Sequence, residues 1–117
     1  MRHRSDYRKL GRTSSHRLNL LRNLSISLIT YGKIQTSLIK AKELSSYIER
    51  LVSIAKVGDS SSHRRIFAKL QNKNATKKLV DDIAPKYKNT NGGYTSIHRT
   101  QIRRGDACQM SVIKFVE

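Results

Sequence analysis

The chain predicts an α+β fold: a small mixed sheet of about three strands, covered on one face by about four helices and preceded by a basic N-terminal extension. Three observations lead there. Three-four spacing of apolar residues recurs through the middle of the chain, strand-like alternation appears once after Lys33 and twice after Tyr94, and the residues up to Thr13 show neither pattern. At 117 residues a compact unit buries about two thirds of the surface its unfolded chain exposes, which allows one modest core. The predicted organisation is therefore an extension over 1–13 and a single domain over 14–117.

Taken in order, Thr13, Ser14 and Ser15 supply capping hydroxyls, and Leu20, Leu21, Leu24 and Leu28 follow on one stripe, predicting a helix over 15–31 that Gly32 ends. Residues 33–38 alternate Ile34, Thr36 and Leu38 with Gln35 and Ser37, as an internal strand does. Ala41, Leu44, Ile48, Leu51 and Ala55 then predict a long helix that begins at Ile39 and stops at Gly58. Its other face, with Lys40, Lys42, Glu43, Glu49 and Arg50, reads as an ordinary solvated face.

Asp59 or Ser60 caps a third helix, with Ile66, Phe67 and Leu70 inward and Arg64, Arg65 and Lys69 outward. Asn74 caps a fourth, with Leu79 and Ile83 buried and Pro85 as its stop. The polar run KYKNTNGG at 86–93 reads as a loop. Residues 94–103 and 110–116 form a C-terminal hairpin that turns at Gly105 and Asp106.

Charge carries the functional reading. The chain holds 24 Lys and Arg against 8 Asp and Glu, a net charge of +16 that calls for a polyanion nearby. Seven of those cations, Arg2, Arg4, Arg8, Lys9, Arg12, Arg17 and Arg22, lie in the first 22 residues with His3 and His16, against the single acid Asp6. Up to Thr13 only Tyr7 and Leu10 are available to bury, so this segment needs a partner to order it. Spaced guanidinium groups on such a segment suit fixed phosphates. The hairpin places His98, Arg99, Arg103 and Arg104 on or beside one connection, where arginines can lie along a nucleic-acid backbone as well as protect a strand edge.

Other chemistry is missing from the sequence. Cys108 is the only cysteine, which precludes an internal disulfide and zinc-type cysteine spacing and fits a reducing, cytosolic setting. Neither a phosphate-cradling GxxxxGK run nor a membrane-length apolar segment occurs. Asp81 and Asp82 are adjacent on a helix, so they diverge by about 100° and cannot converge on one ion. Ser14, Ser15 and His16 read as a helix start, not as a nucleophile with its base. The expectation is a non-enzyme without cofactor, metal or small-molecule substrate.

The opening MRHR, SSHR at 14–17, KAKE at 40–43, GGYT at 92–95 and RRGDA at 103–107 stand in the order and near the spacing found in one family. On these motifs the chain resembles the bacterial large-ribosomal-subunit protein seventeen family over its whole length. The resemblance implies an α+β domain bound to large-subunit ribosomal RNA, seated toward the peptide exit region of the cytoplasmic ribosome among neighbouring ribosomal proteins. It also implies that Arg2, His3, Arg4, Arg12, Ser15, His16 and Arg17 contact RNA, and that Arg103 belongs to the family's hairpin. Together with charge and position, the predicted RNA-binding set further includes Arg8, Lys9, Arg22, Arg64, Arg65, Arg99 and Arg104. Two rivals have weaker support. Helices over 60–71 and 74–84 could form a DNA-binding helix-turn-helix, but Asp81 and Asp82 and few long polar side chains weaken it. A membrane-surface protein would need its basic cluster on an amphipathic helix, whereas here it precedes the helices.

Overall fold

The computed structural model describes residues 8–116. Helix α1 (Ser14–Tyr31) follows Thr13 and ends at Gly32, whose φ of +79° is the left-handed conformation that a residue without Cβ adopts at least cost; its N–H closes on the Leu28 carbonyl. Strand β1 (Lys33–Ser37) leads without a loop into α2 (Leu38–Ala55), because Ser37 both closes the strand and caps the helix by accepting from the Lys40 N–H. Helix α3 (Ser60–Leu70) is capped by Asp59, which accepts from the Ser62 N–H at 2.7 Å.

The fourth helix departs from expectation at both ends. Asn72, not Asn74, caps α4 (Lys73–Lys78) by accepting from the Ala75 N–H at 2.9 Å, since Gln71 has already turned the chain with a left-handed φ of 55°. The α-helical register ends at Lys78. A π turn (Leu79–Ile83) and a 3-10 turn (Ala84–Tyr87) continue the coil, and Pro85 lies within the first turn of the latter instead of stopping the helix. Leu79, Val80, Ile83 and Ala84 of these turns all enter the core.

Strands β2 (Thr95–Ile102) and β3 (Gln109–Phe115) form the predicted hairpin. The sheet order is β1-β3-β2, and both pairings are antiparallel, so the sheet is not mixed. β3 returns between the two earlier strands and runs against each of them. The core-facing row contains Ile34 opposite Ile113 and Thr36 opposite Ser111 on β1-β3, and Ile97 opposite Ile113 on β2-β3. Helix α2 lies over this face and touches all three strands. Its Leu44, Ile48, Leu51 and Val52 join Leu28, Ile29, Ile66, Leu70 and Leu79 in a core that excludes solvent almost completely.

Two expectations about individual faces are corrected. Phe67 does not face inward: the buried stripe of α3 is Ser62, Ile66 and Leu70, and Phe67 lies about 100° around from Ile66 with 42% of its surface exposed. The polar face of α2 is not wholly solvated. Ser45 and Glu49 both bond the Thr95 hydroxyl, at 2.8 and 3.1 Å, and fasten the start of β2 to the helix. The 86–93 segment is likewise anchored. Tyr87 is buried and donates its hydroxyl to the Val116 carbonyl, its ring meets that of Tyr94 at 5.2 Å, and Lys56 donates to the Thr90 carbonyl and to the Tyr94 hydroxyl.

Candidate nucleic-acid interface

Of the predicted basic arm, Arg2, His3 and Arg4, along with Tyr7, lie outside the described residues. Arg8 and Lys9 are exposed just before the turn at Leu10 and Gly11, and the Arg8 guanidinium stands 3.7 Å from the Glu43 carboxylate of α2. Just before α1, Arg12 donates to His16 Nε2 in its first turn at 2.6 Å, and Ser15 and His16 are exposed. These groups form one continuous polar surface at the helix start.

Arg22 has a different part. Its guanidinium donates to the Lys69 carbonyl at 2.9 Å and to Asn19 Oδ1 at 3.2 Å, tying α1 to the C-terminal end of α3. Two of its donor directions are thereby taken by the fold, which a residue chosen on charge alone does not reveal. Arg64 and Arg65 are both exposed on α3, but adjacent helical positions diverge, so they do not form one patch.

The hairpin runs past its own core. Residues 98–107 are exposed, and the register between β2 and β3 shifts between Arg99 and Ile102, where β2 carries one more residue than its partner. The turn is clamped from within. Arg103 donates to both carboxylate oxygens of Asp106 at 3.2 and 2.6 Å, the Cys108 N–H donates to Asp106 Oδ1, and the Arg103 N–H bonds the Cys108 carbonyl. The guanidinium and the Cys108 N–H hold the Asp106 carboxyl at about 2, below its ordinary value, and the carboxylate in turn raises the pKa of Arg103. Arg103 thus shapes the turn with its charge already answered, whereas Arg104 and Arg99 form no ion pair among the described residues. His98 pairs with Val112 and Arg99 with Ser111, so the two project to opposite faces of the ribbon.

The sheet face away from the helices was not assigned individual residues by sequence reasoning. Register puts Lys33 directly opposite Lys114 there, with Gln35, Val112 and His98 forming the next rung. Like charges facing each other across an antiparallel pair repel, so this rung also favours an anion above it. Period-two alternation marks each lysine as outward, but only the strand order makes them neighbours.

Among the described residues no group of His, Cys, Asp and Glu could hold a metal ion, and no helix is long and apolar enough to cross a membrane. The helix-turn-helix reading gains nothing from the geometry, because its second helix is six α-helical residues followed by a π turn. What the structure does bring together is cations on three separated surfaces: the start of α1, the hairpin tip and the uncovered sheet face.

The family model described as Ribosomal protein L17 matches residues 20–116. The chain is 63% identical over 116 residues to a large ribosomal subunit protein bL17 of Campylobacter jejuni subsp. doylei, covering 99% of each chain. It is also 63% identical to the bL17 of Helicobacter hepaticus and 62% identical to that of Helicobacter pylori strain J99, covering 99% of this chain and 100% of each relative. With the family model matching residues 20–116 and a relative 63% identical over 99% of the chain, the chain belongs to the ribosomal protein L17 family.

Proposed function

We propose that this chain binds and stabilises large-subunit ribosomal RNA, with its basic arm threaded between RNA segments and its domain docked by shape. Membership of the L17 family makes it a structural constituent of the large ribosomal subunit and not an enzyme. The finer reading rests on the cations. The chain carries 24 Lys and Arg against 8 Asp and Glu, so its acids can neutralise only a minority of its cations. Arg2, His3, Arg4, Lys9, Arg12, Ser15, His16 and Arg17 supply the arm's contacts, and Arg99 and Arg104 those of the hairpin. The family resemblance adds neighbouring ribosomal proteins and a seat near the peptide exit region.

A-form RNA hides its base edges in a deep groove, so recognition falls to local shape, 2′-hydroxyls and unpaired bases. Phosphate neutralisation supplies the affinity. With roughly 6 to 10 phosphate contacts, affinity for deproteinised large-subunit RNA drops about a thousandfold to a hundred-thousandfold between about 50 and 200 mM salt. Filter binding across that range measures it, and a flat response contradicts the proposal.

A further inference from the structure

A groove between α3 and α4 belongs to neither the arm nor the hairpin. His63, Arg64 and Phe67 line one side, Lys73, Thr76 and Lys77 the other, and Asp81 lies at its end, around a volume of about 460 Å³. Phe67 is the feature that the fold does not explain. Its ring is 42% exposed, while the core stripe of the same helix is complete without it in Ile66 and Leu70.

The backbone that carries the ring is nonetheless held in place. The Gln71 N–H bonds the Phe67 carbonyl at 2.7 Å, the next residue, Asn72, caps α4, and the Thr76 hydroxyl donates to the Asn72 carbonyl at 2.8 Å. A rigid tight turn therefore holds the two walls at a set separation. Around the ring, Arg64, Lys73 and Lys77 are exposed and form no ion pair among the described residues; the one acid, Asp81, stands 3.9 Å from His63.

We propose that this groove takes an unpaired RNA nucleotide, its base stacked on Phe67 and its flanking phosphates met by Arg64, Lys73 and Lys77. The proposal rests on the RNA-binding reading above and adds a site to it. Charge complementarity selects the occupant: an aromatic face with three permanent cations on both walls is the arrangement that serves single-stranded nucleic acid, where the base supplies a π surface and the backbone the charge. Paired RNA keeps its base faces inside the stack and offers the ring nothing. A protein anchor would have to bring acids for Arg64, Lys73 and Lys77 or leave those charges covered and unpaired.

The test uses the full chain and deproteinised Campylobacter jejuni large-subunit RNA. Phe67→Ala is expected to lower affinity about 5- to 150-fold, and Phe67→Tyr, which keeps the stacking face, to retain most of it. The chain has no tryptophan, so Phe67→Trp installs a sole indole whose emission reads the groove. Single-stranded poly(A) should quench it far more than poly(A)·poly(U) duplex at equal phosphate. If Phe67→Ala and the parent bind the ribosomal RNA equally and with the same salt response, the stacking site is overturned while the RNA-binding reading stands. If neither binds, both fall. Indole emission untouched by RNA but shielded from iodide in reconstituted large subunits assigns the groove to a protein neighbour and also overturns the proposal. Should Phe67→Ala fail to fold, the comparison of single-stranded and duplex quenching in Phe67→Trp decides alone.

Discussion

At the scale of single residues, the hairpin turn shows how a charge can be spent on shape. Gly105, with φ of +97°, makes the bend, and Asp106 closes it by accepting from Arg103 and from the Cys108 N–H. Because the folded carboxyl sits at about 2 against an ordinary 3.8, whatever the clamp contributes is complete above about pH 4 and is lost as the pH falls through about 2. A carboxyl NMR titration should find that midpoint, and Asp106→Asn should abolish it while loosening protection of the Cys108 amide. Arg104, with no acid against it, should behave as a phosphate contact: Arg104→Ala weakens RNA binding uniformly and reduces the salt slope by about one. Tyr87 is the buried counterpart. Truncation to Ala removes a packed ring and the bond to the Val116 carbonyl and should cost about 3–5 kcal/mol in denaturant unfolding, whereas Tyr87→Phe should cost about 1 kcal/mol. Neither role was legible in the sequence, where Tyr87 stands in a polar run and Arg103 is one of two adjacent arginines; both depend on a partner placed by the fold.

At the scale of elements, local chemistry announced most of the structure. Gly32 and Asp59 each specify their feature within one turn of chain, the five-residue apolar stripe of α2 does so within one helix, and each was readable. The fourth helix was not. A cap can be supplied by any of the Asn residues near 72 and 74, and the choice follows from Gln71 having already reversed the chain. Asn72→Ala should therefore cost about 1 kcal/mol in thermal or denaturant melting, and Asn74→Ala, at an exposed position, close to nothing. Phe67 was misplaced for a related reason. Three apolar residues within five positions of a helix exceed the width of one buried stripe, and periodicity alone does not say which is left outside.

At the scale of the whole molecule, α+β class, one-sided helical cover and a positive surface all followed from pattern and composition, because each is a sum over many residues. The antiparallel order β1-β3-β2 did not, since strands distant in sequence are neighbours only through the return of β3. The candidate site divides the same way: the basic arm was legible as a run of cations without a core, while the facing lysines Lys33 and Lys114 required the register. Removal of residues 2–13 should leave the melting temperature of the domain nearly unchanged, because the described arm side chains that pair with it, Arg8 with Glu43 and Arg12 with His16, do so at its surface, yet should cost the chain its entry into large subunits on a sucrose gradient. Retention of the trimmed chain in those fractions after a moderate salt wash would refute the role given to the arm.

The hairpin that outruns its domain leads to a broader expectation about sequence tolerance. From residue 100 to 107 the ribbon is exposed and lies beyond the pairing with β1, so its upkeep is delegated to whatever surrounds it in the particle. Changes there should pass every assay of purified folding and still leave a cell short of finished subunits, a class of lesion that screens for stability alone are blind to.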